Sequence, residues 1–231
     1  MKQTIISRFL AVALMMTTGN LAANAGWTDN LSPYDLNAPL GWATVDGYVT
    51  GGEGGTKVTV TNKTELMNAL KGTDKKIIYV DGEIEFSGLT NVKSVQNKTI
   101  IGMKGAAFVN SKHSASVSET GIMQLSSCKN IILRNIIFKS AGAYDIDGND
   151  NLTIIGSTYI WVDHCDFQDG VDGNFDCVNG SDNICVTWCR FRYLIAPWAG
   201  GSGGSNDHRN CDLWGNSDKR SGDEEHLRTT F

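Results

Sequence analysis

Three ten-residue stretches in the second half of the chain align without gaps: KNIILRNIIF from Lys129, TYIWVDHCDF from Thr158 and DNICVTWCRF from Asp182. Each places apolar residues at positions three, five, eight and ten, with polar residues at most of the others. Alternation between positions three and five has the period of a strand, whose successive side chains face opposite sides. The starts of the blocks lie 29 and 24 residues apart, with no helix of consistent length between them. Looser copies are expected at KTIIGM from Lys98 and at KKIIYVDGEIEF from Lys75.

Strand-like blocks recurring every twenty-odd residues predict a coiled array, in which equivalent positions stack at the inter-strand spacing of roughly 4.8 Å. A β-sandwich also contains many short strands. Whole blocks repeating in register favour instead an all-β parallel β-helix. Cys165 and Cys189 share position eight and should stand in adjacent coils. One short helix is expected ahead of the array: Asn62 followed by Glu65 has the form of a capping box, ELMNAL supplies an amphipathic turn or two, and Gly72 ends it. Its apolar face would cover the open end of the first coil. The preceding TGGEGGT, residues 50–56, lacks the Lys-Ser/Thr of a phosphate loop and reads as a turn.

The start of the chain changes the picture of where the array works. Lys2 and Arg8 precede the apolar run Phe9 to Met16, and Ala23-Asn24-Ala25 offers small residues for cleavage. Residues 1–25 therefore read as a signal peptide, too short in its apolar core to span a bilayer. The expected mature chain, residues 26–231, is one soluble, exported domain. Without Lys2 and Arg8, the Lys+Arg total falls from 20 to 18 against 25 acids, a formal charge of −7. That balance disfavours nucleic acid and anionic membrane as partners. Six cysteines in an exported chain permit disulfides, but their pairing is not decided by sequence, and no zinc-type spacing occurs among them.

The candidate chemistry is carboxylate-rich. The segment WVDHCDFQDGVDGNFD, residues 161–176, is dense in aspartate. Asp172 and Asp176 follow Asp150 by 22 and 26 residues, bracketing a coil period of 24, so a coiled array returns both to about the place of Asp150. Converging carboxylates repel unless a cation sits among them, and oxygen donors with water suit Ca²⁺. Solvated turn aspartates beside glycines are the plainer alternative. DIDGND, residues 145–150, fails as a calcium loop because position six is Asp150 and position twelve is Gly156. GGSGG, residues 200–204, lacks the strand and helix of a nucleophile elbow. His164 could serve as a general base, but its place in the block fits a structural member of a ladder better.

WVDHCDF, DGNFD, GSDNICVTWCRF and GNSDK, in this order, resemble motifs of the pectate lyases of the first polysaccharide lyase family. GWATVDGYVTGGEGGTKVTVTNKTELMNAL and IIYVDGEI resemble that family's entry segment and first coil, so the resemblance spans nearly all of residues 26–231. It implies a right-handed parallel β-helix and Ca²⁺-dependent β-elimination of polygalacturonate by a secreted or periplasmic monomer. It also places the calcium ligands at Asp150, Asp172 and Asp176. Arg209 is the candidate for holding a substrate carboxylate, one residue out of step with the family's lysine. The family's base arginine, in an R-x-P-R-x-R segment, has no counterpart up to Phe231, so the catalytic base is expected outside this sequence, which then reads as a fragment. The competing reading is a non-catalytic β-helix that binds an acidic polysaccharide.

Overall fold

The computed structural model describes residues 41–144, 146, 148–196 and the backbone of 229–230. The strands, in chain order, are β1 (Thr56–Val60), β2 (Lys76–Val80), β3 (Glu83–Glu85), β4 (Thr90–Lys93), β5 (Gln96–Gly102), β6 (Ala107–Val109), β7 (Met123–Ser126) and β8 (Lys129–Arg134). They continue with β9 (Ile137–Lys139), β10 (Leu152–Ile155), β11 (Thr158–Asp163), β12 (Asp166–Gln168), β13 (Phe175–Val178), β14 (Asp182–Thr187), β15 (Arg190–Arg192) and β16 (Thr229–Thr230). Every described pairing is parallel. Sheet A runs β1-β2-β5-β8-β11-β14-β16, sheet B runs β15-β12-β9-β6-β3, and sheet C runs β13-β10-β7-β4. A full coil therefore passes through C, A and B in turn, as β7, β8 and β9 do. This is the parallel β-helix that the repeating blocks predict.

The interior positions are those read from the pattern. Ile131, Ile160 and Ile184 stack at position three, Leu133, Val162 and Val186 at position five, and all lie in one buried core. Position ten builds an aromatic column in sheet B: the rings of Phe108 and Phe138 are 5.3 Å apart, Phe138 and Phe167 4.8 Å, and Phe167 and Phe191 5.0 Å. Repetition with parallel register brings like next to like, and aromatic neighbours gain energy beyond the area they bury.

The two looser copies begin earlier than their apolar runs suggest. Gln96 pairs with Lys129, so the copy near Lys98 starts two residues before it, and Lys98 itself occupies inward position three. The next copy back is registered by Lys76 against Lys98, which puts its start at residue 74. Lys98 is fully buried yet satisfied, its Nζ donating to the carbonyls of Gly72 (3.1 Å), Gln96 (2.8 Å) and Asp74. A lysine can stand there because turn carbonyls at the end of the array replace the water it loses.

The helix, α1 (Lys63–Leu70), forms where the capping box predicts it. The Asn62 Oδ1 accepts from the Glu65 N–H at 3.0 Å, while the Glu65 carboxylate reaches back to the Thr61 N–H at 2.8 Å, one residue before the cap. Leu66 and Leu70 are buried in the main core against the first strands, so α1 closes the end of the array. Gly72, at φ +79°, ends it.

An unforeseen element lies across the outside of sheet A. Residues 41–52 form a strap that crosses the outer ends of the coils, opening with a one-turn 3-10 helix, Gly41–Thr44. Its anchors are residues at one position of successive sheet A strands, Asn130, Tyr159 and Asn183, all in left-handed backbone at φ 56–59°. Asn183 Nδ2 donates to the carbonyls of Trp42 (3.1 Å) and Val45 (3.0 Å), and the Tyr159 hydroxyl to the carbonyl of Asp46 (2.8 Å). Asn130 Oδ1 accepts from the N–H groups of both Thr50 and Gly51 at 2.8 Å. Beneath the strap, Ala43 and Val49 cover Ile132, Trp161 and Cys185, a second, smaller core on the outer face of sheet A. The strap then turns into β1 at the glycine-rich loop, where a Cβ on Gly52 would lie 1.8 Å from the Lys76 carbonyl oxygen.

Candidate functional site

Most of the carboxylates in residues 161–176 are held by partners within the fold. Asp163 is 1 % exposed and pairs with the buried Arg134 guanidinium at 2.7 Å, with His164 Nδ1 at 2.6 Å and with the Thr187 hydroxyl at 2.5 Å. The Arg134 guanidinium also lies 4.8 Å from the centre of the Trp161 ring. Asp166 binds Arg190 at 2.8 Å and Arg192 at 2.6 Å. Asp169 accepts from the N–H groups of Leu194 (2.6 Å) and Ile195 (2.9 Å). His164 stands with Asn135 and Trp188 at one corner of successive coils, each in left-handed backbone. It is a corner residue oriented by Asp163, as its position in the block suggests.

Asp172 and Asp176 belong to a different side. The long connections from sheet B to sheet C carry Asp150 and Asp172 ahead of β10 and β13, and Asp176 lies within β13. Register fixes their relation. Leu152 pairs with Phe175 and Thr153 with Asp176, so the coil at this point repeats every 23 residues. Asp150 is level with Gly173, next to Asp172 in the neighbouring coil, while Asp176 stands three positions further along. On the outer face of sheet C, Asn91, Gln124, Thr153 and Asp176 form one polar column, paired strand to strand.

Two asparagines position these connections. Asn151 and Asn174 are fully buried, one coil apart, and Asn151 Nδ2 donates to Asn174 Oδ1 at 2.8 Å and to the Gln168 carbonyl at 2.8 Å. Ser140 Oγ donates to Asn151 Oδ1 at 2.6 Å, and the Gly170 N–H to Asn174 Oδ1 at 3.0 Å. Buried amides bonded in this way fix the loops on which Asp150 and Asp172 sit. Their signal in the sequence is an asparagine recurring at the coil period, Asn151 and Asn174, directly after or near each candidate ligand.

Calcium fits this arrangement only in donor chemistry. The oxygens are of the right kind, but among the described residues no group of three or more His, Cys, Asp or Glu side chains is gathered as a metal would require. The 23-residue register sets Asp172 one position before the level of Asp150 and Asp176 three positions beyond it, on the strand. Asp145, Asp147, Arg209, Cys211 and the GGSGG segment lie outside the described residues.

The described cysteines are free thiols. Cys165 and Cys189 do stack in adjacent coils, and burial, with Cys165 beside it, pushes the Cys189 thiol well above its ordinary pKa. Burial likewise raises Cys128. Thiols held protonated in a core are poor nucleophiles, which argues against Cys128 and Cys189 in that role.

A family profile described as Pectate lyase matches residues 13–191. The chain is 32% identical over 195 residues to a pectate trisaccharide-lyase of Thermotoga maritima, covering 78% of this chain and 46% of that protein. It is 31% identical to pectate lyase plyB of Emericella nidulans, covering 84% of this chain and 53% of the relative. The chain thus spans about half the length of the curated relatives it matches. Among solved structures, a pectate lyase bound to a hexasaccharide superposes with a TM-score of 0.53 at 21% identity, over 73% of this chain and 59% of the other. The major cedar-pollen allergen jun a 1 superposes with a TM-score of 0.53 at 18% identity, over 69% of this chain and 52% of the other. These superpositions bear on the fold alone, and it is the profile match, running from the signal-like start through the block that ends at Phe191, that makes this chain a member of the pectate lyase family.

Proposed function

We propose that this protein acts on pectate, cleaving polygalacturonate by β-elimination outside the cytoplasm, with the outer face of sheet C and the loops bearing Asp150 and Asp172 as the substrate side. The observation that carries the reading is the family match across residues 13–191, which contains all three aspartates. β-Elimination needs a base to take the proton beside the uronate carboxylate and a cation to quiet that carboxylate. The acidic, amide-rich column of sheet C cannot supply the cation by itself, since a bare carboxylate face repels a uronate polymer.

Calcium dependence belongs to the same proposal, with Asp150, Asp172 and Asp176 as the oxygen donors. It is supported by the resemblance and by donor type, and no step of the chemistry is assigned to it. Arg209 is proposed to hold a substrate carboxylate, because a guanidinium can clamp one in bidentate fashion.

The test has two parts. The full-length protein is incubated with polygalacturonate, and the ultraviolet absorbance of unsaturated product is followed with and without a chelator. Calcium binding is measured separately by calorimetry on the wild type, Asp172→Asn and Asp176→Asn. Product that disappears with chelator, and affinity that falls more than about tenfold in both variants, are the expected results. Unchanged calcium affinity in both variants refutes the ligand assignment. Saturable polygalacturonate binding with no product favours the non-catalytic reading.

A further inference from the structure

The corner where sheet A turns into sheet B is the one vertex of the coil that sheet C does not touch. Here the structure holds a cleft of about 180 Å³, lined by Lys104, Asn135, Ile137, His164, Asp166 and Arg190 among others. Its charge runs against that of the chain. The protein carries a formal charge of −5, yet the residues lining this cleft include two cations, Lys104 and Arg190, and one carboxylate, Asp166, which Arg192 also binds. That carboxylate is already occupied: it accepts from Arg190 (2.8 Å), from Arg192 (2.6 and 3.0 Å) and from Gln168 (2.9 Å). Arg190 gives it one N–H while its side chain stays 66% exposed. Lys104, on an exposed turn, has no ion-pair partner among the described residues.

At the same corner, two residues before Arg190, stands an exposed aromatic. Trp188 is 80% exposed, the most open of the large apolar side chains described, and its ring lies 6.3 Å from that of His164. It sits in left-handed backbone at φ 54°, a conformation in which Asn135 occupies the same corner two coils earlier. An indole so exposed adds nothing to the core, and left-handed backbone is unfavourable to it. A flat aromatic surface beside unspent guanidinium and ammonium donors is suited to one chemical class: a sugar ring laid on the indole, with its carboxylate reaching the cations.

We propose that this corner is an accessory binding site for an acidic oligosaccharide, an oligogalacturonate segment, with Trp188 as the platform and Arg190 and Lys104 as the carboxylate donors. This rests on the reading of the substrate as pectate, but not on the sheet C site. A polymer held at the vertex remote from sheet C would stay tethered while another stretch of it reaches the substrate side, raising its effective concentration there.

The experiment titrates the full chain with tetragalacturonate in the presence of a chelator, read by tryptophan fluorescence and by calorimetry. Trp188→Asn is the main variant, since asparagine is already tolerated at this corner, and Lys104→Glu is the second. Wild type and Asp172→Asn should bind alike, whereas Trp188→Asn and Lys104→Glu should each lose more than about tenfold in affinity. A neutral tetrasaccharide should bind at least about tenfold more weakly than tetragalacturonate. Equal affinity of Trp188→Asn and wild type overturns the site, as does equal binding of the neutral sugar. Binding that needs calcium and is lost in Asp172→Asn overturns the accessory site and leaves the proposed function standing. No binding of tetragalacturonate under either condition overturns both.

Discussion

Asn130→Ala should release the strap. The side chain makes five bonds: Oδ1 accepts from the Thr50 and Gly51 N–H groups at 2.8 Å each, and Nδ2 donates to Thr50 Oγ1 (3.1 Å), the Gly51 carbonyl (3.3 Å) and Asn97 Oδ1 (2.7 Å). The two N–H groups are only partly buried, so each lost bond costs about 1 kcal/mol, and the bond to Asn97 adds about as much. Alanine at φ 59° costs a further ~1–2 kcal/mol, because its Cβ crowds the carbonyl in left-handed backbone. The sum is about 4 kcal/mol for Asn130→Ala. Asn130→Gly, which is free of the backbone penalty, should lose about 2–3 kcal/mol. Urea unfolding gives both totals, and amide hydrogen exchange locates the loss at Thr50 and Gly51. If alanine and glycine variants prove equally stable, the backbone argument fails. If exchange at Thr50 and Gly51 remains as slow as before while stability falls, the strap is not what Asn130 holds.

Phe138→Ala removes the middle of the aromatic column, whose neighbours on either side lie 5.3 and 4.8 Å away; a loss of about 3–5 kcal/mol is expected by denaturant melt, and a loss below about 1 kcal/mol would mean the coils close over the gap. Glu65 is held below its ordinary pKa of 4.5, first by the Thr61 N–H and then by Asn62. A carboxylate favoured in the folded state stabilises above its unfolded pKa, and that contribution is lost as pH falls through the lowered value. Glu65→Gln should therefore show a shallower fall in urea midpoint below pH 4.5 than the wild type, and parallel acid profiles would contradict this.

What could be read from the sequence was the part of the fold that repeats. Ile131, Ile160 and Ile184 announce an interior column because a parallel coil must bring equivalent side chains together. The helix was legible for the same kind of reason, since Asn62 and Glu65 act within a few residues of each other. The strap was not, because Asn183 meets Trp42 across 141 residues and the strap itself, residues 41–52, repeats nothing. Lys98 concealed the start of its block by standing, charged, where its counterparts are isoleucine. The course of the chain around the candidate site was not legible in the same way. Asp150 and Asp172 lie in connections whose course is set by the buried Asn151–Asn174 amides rather than by the strand repeat.

The strap is also a length gauge. Its anchors at Asn130, Tyr159 and Asn183 stand on three successive coils, and inserting or deleting one coil between them would shift an anchor by about 4.8 Å, the strand spacing. Asparagine cannot stretch over such a step, so the number of coils beneath the strap is fixed. The connections from sheet B to sheet C are under no such rule: the one leading to β10 takes residues 140–151, the one leading to β13 only residues 169–174. Among the described coils the widest change in connection length therefore falls on the side that bears Asp150 and Asp172, and the face proposed for substrate can diversify while the opposite wall keeps count.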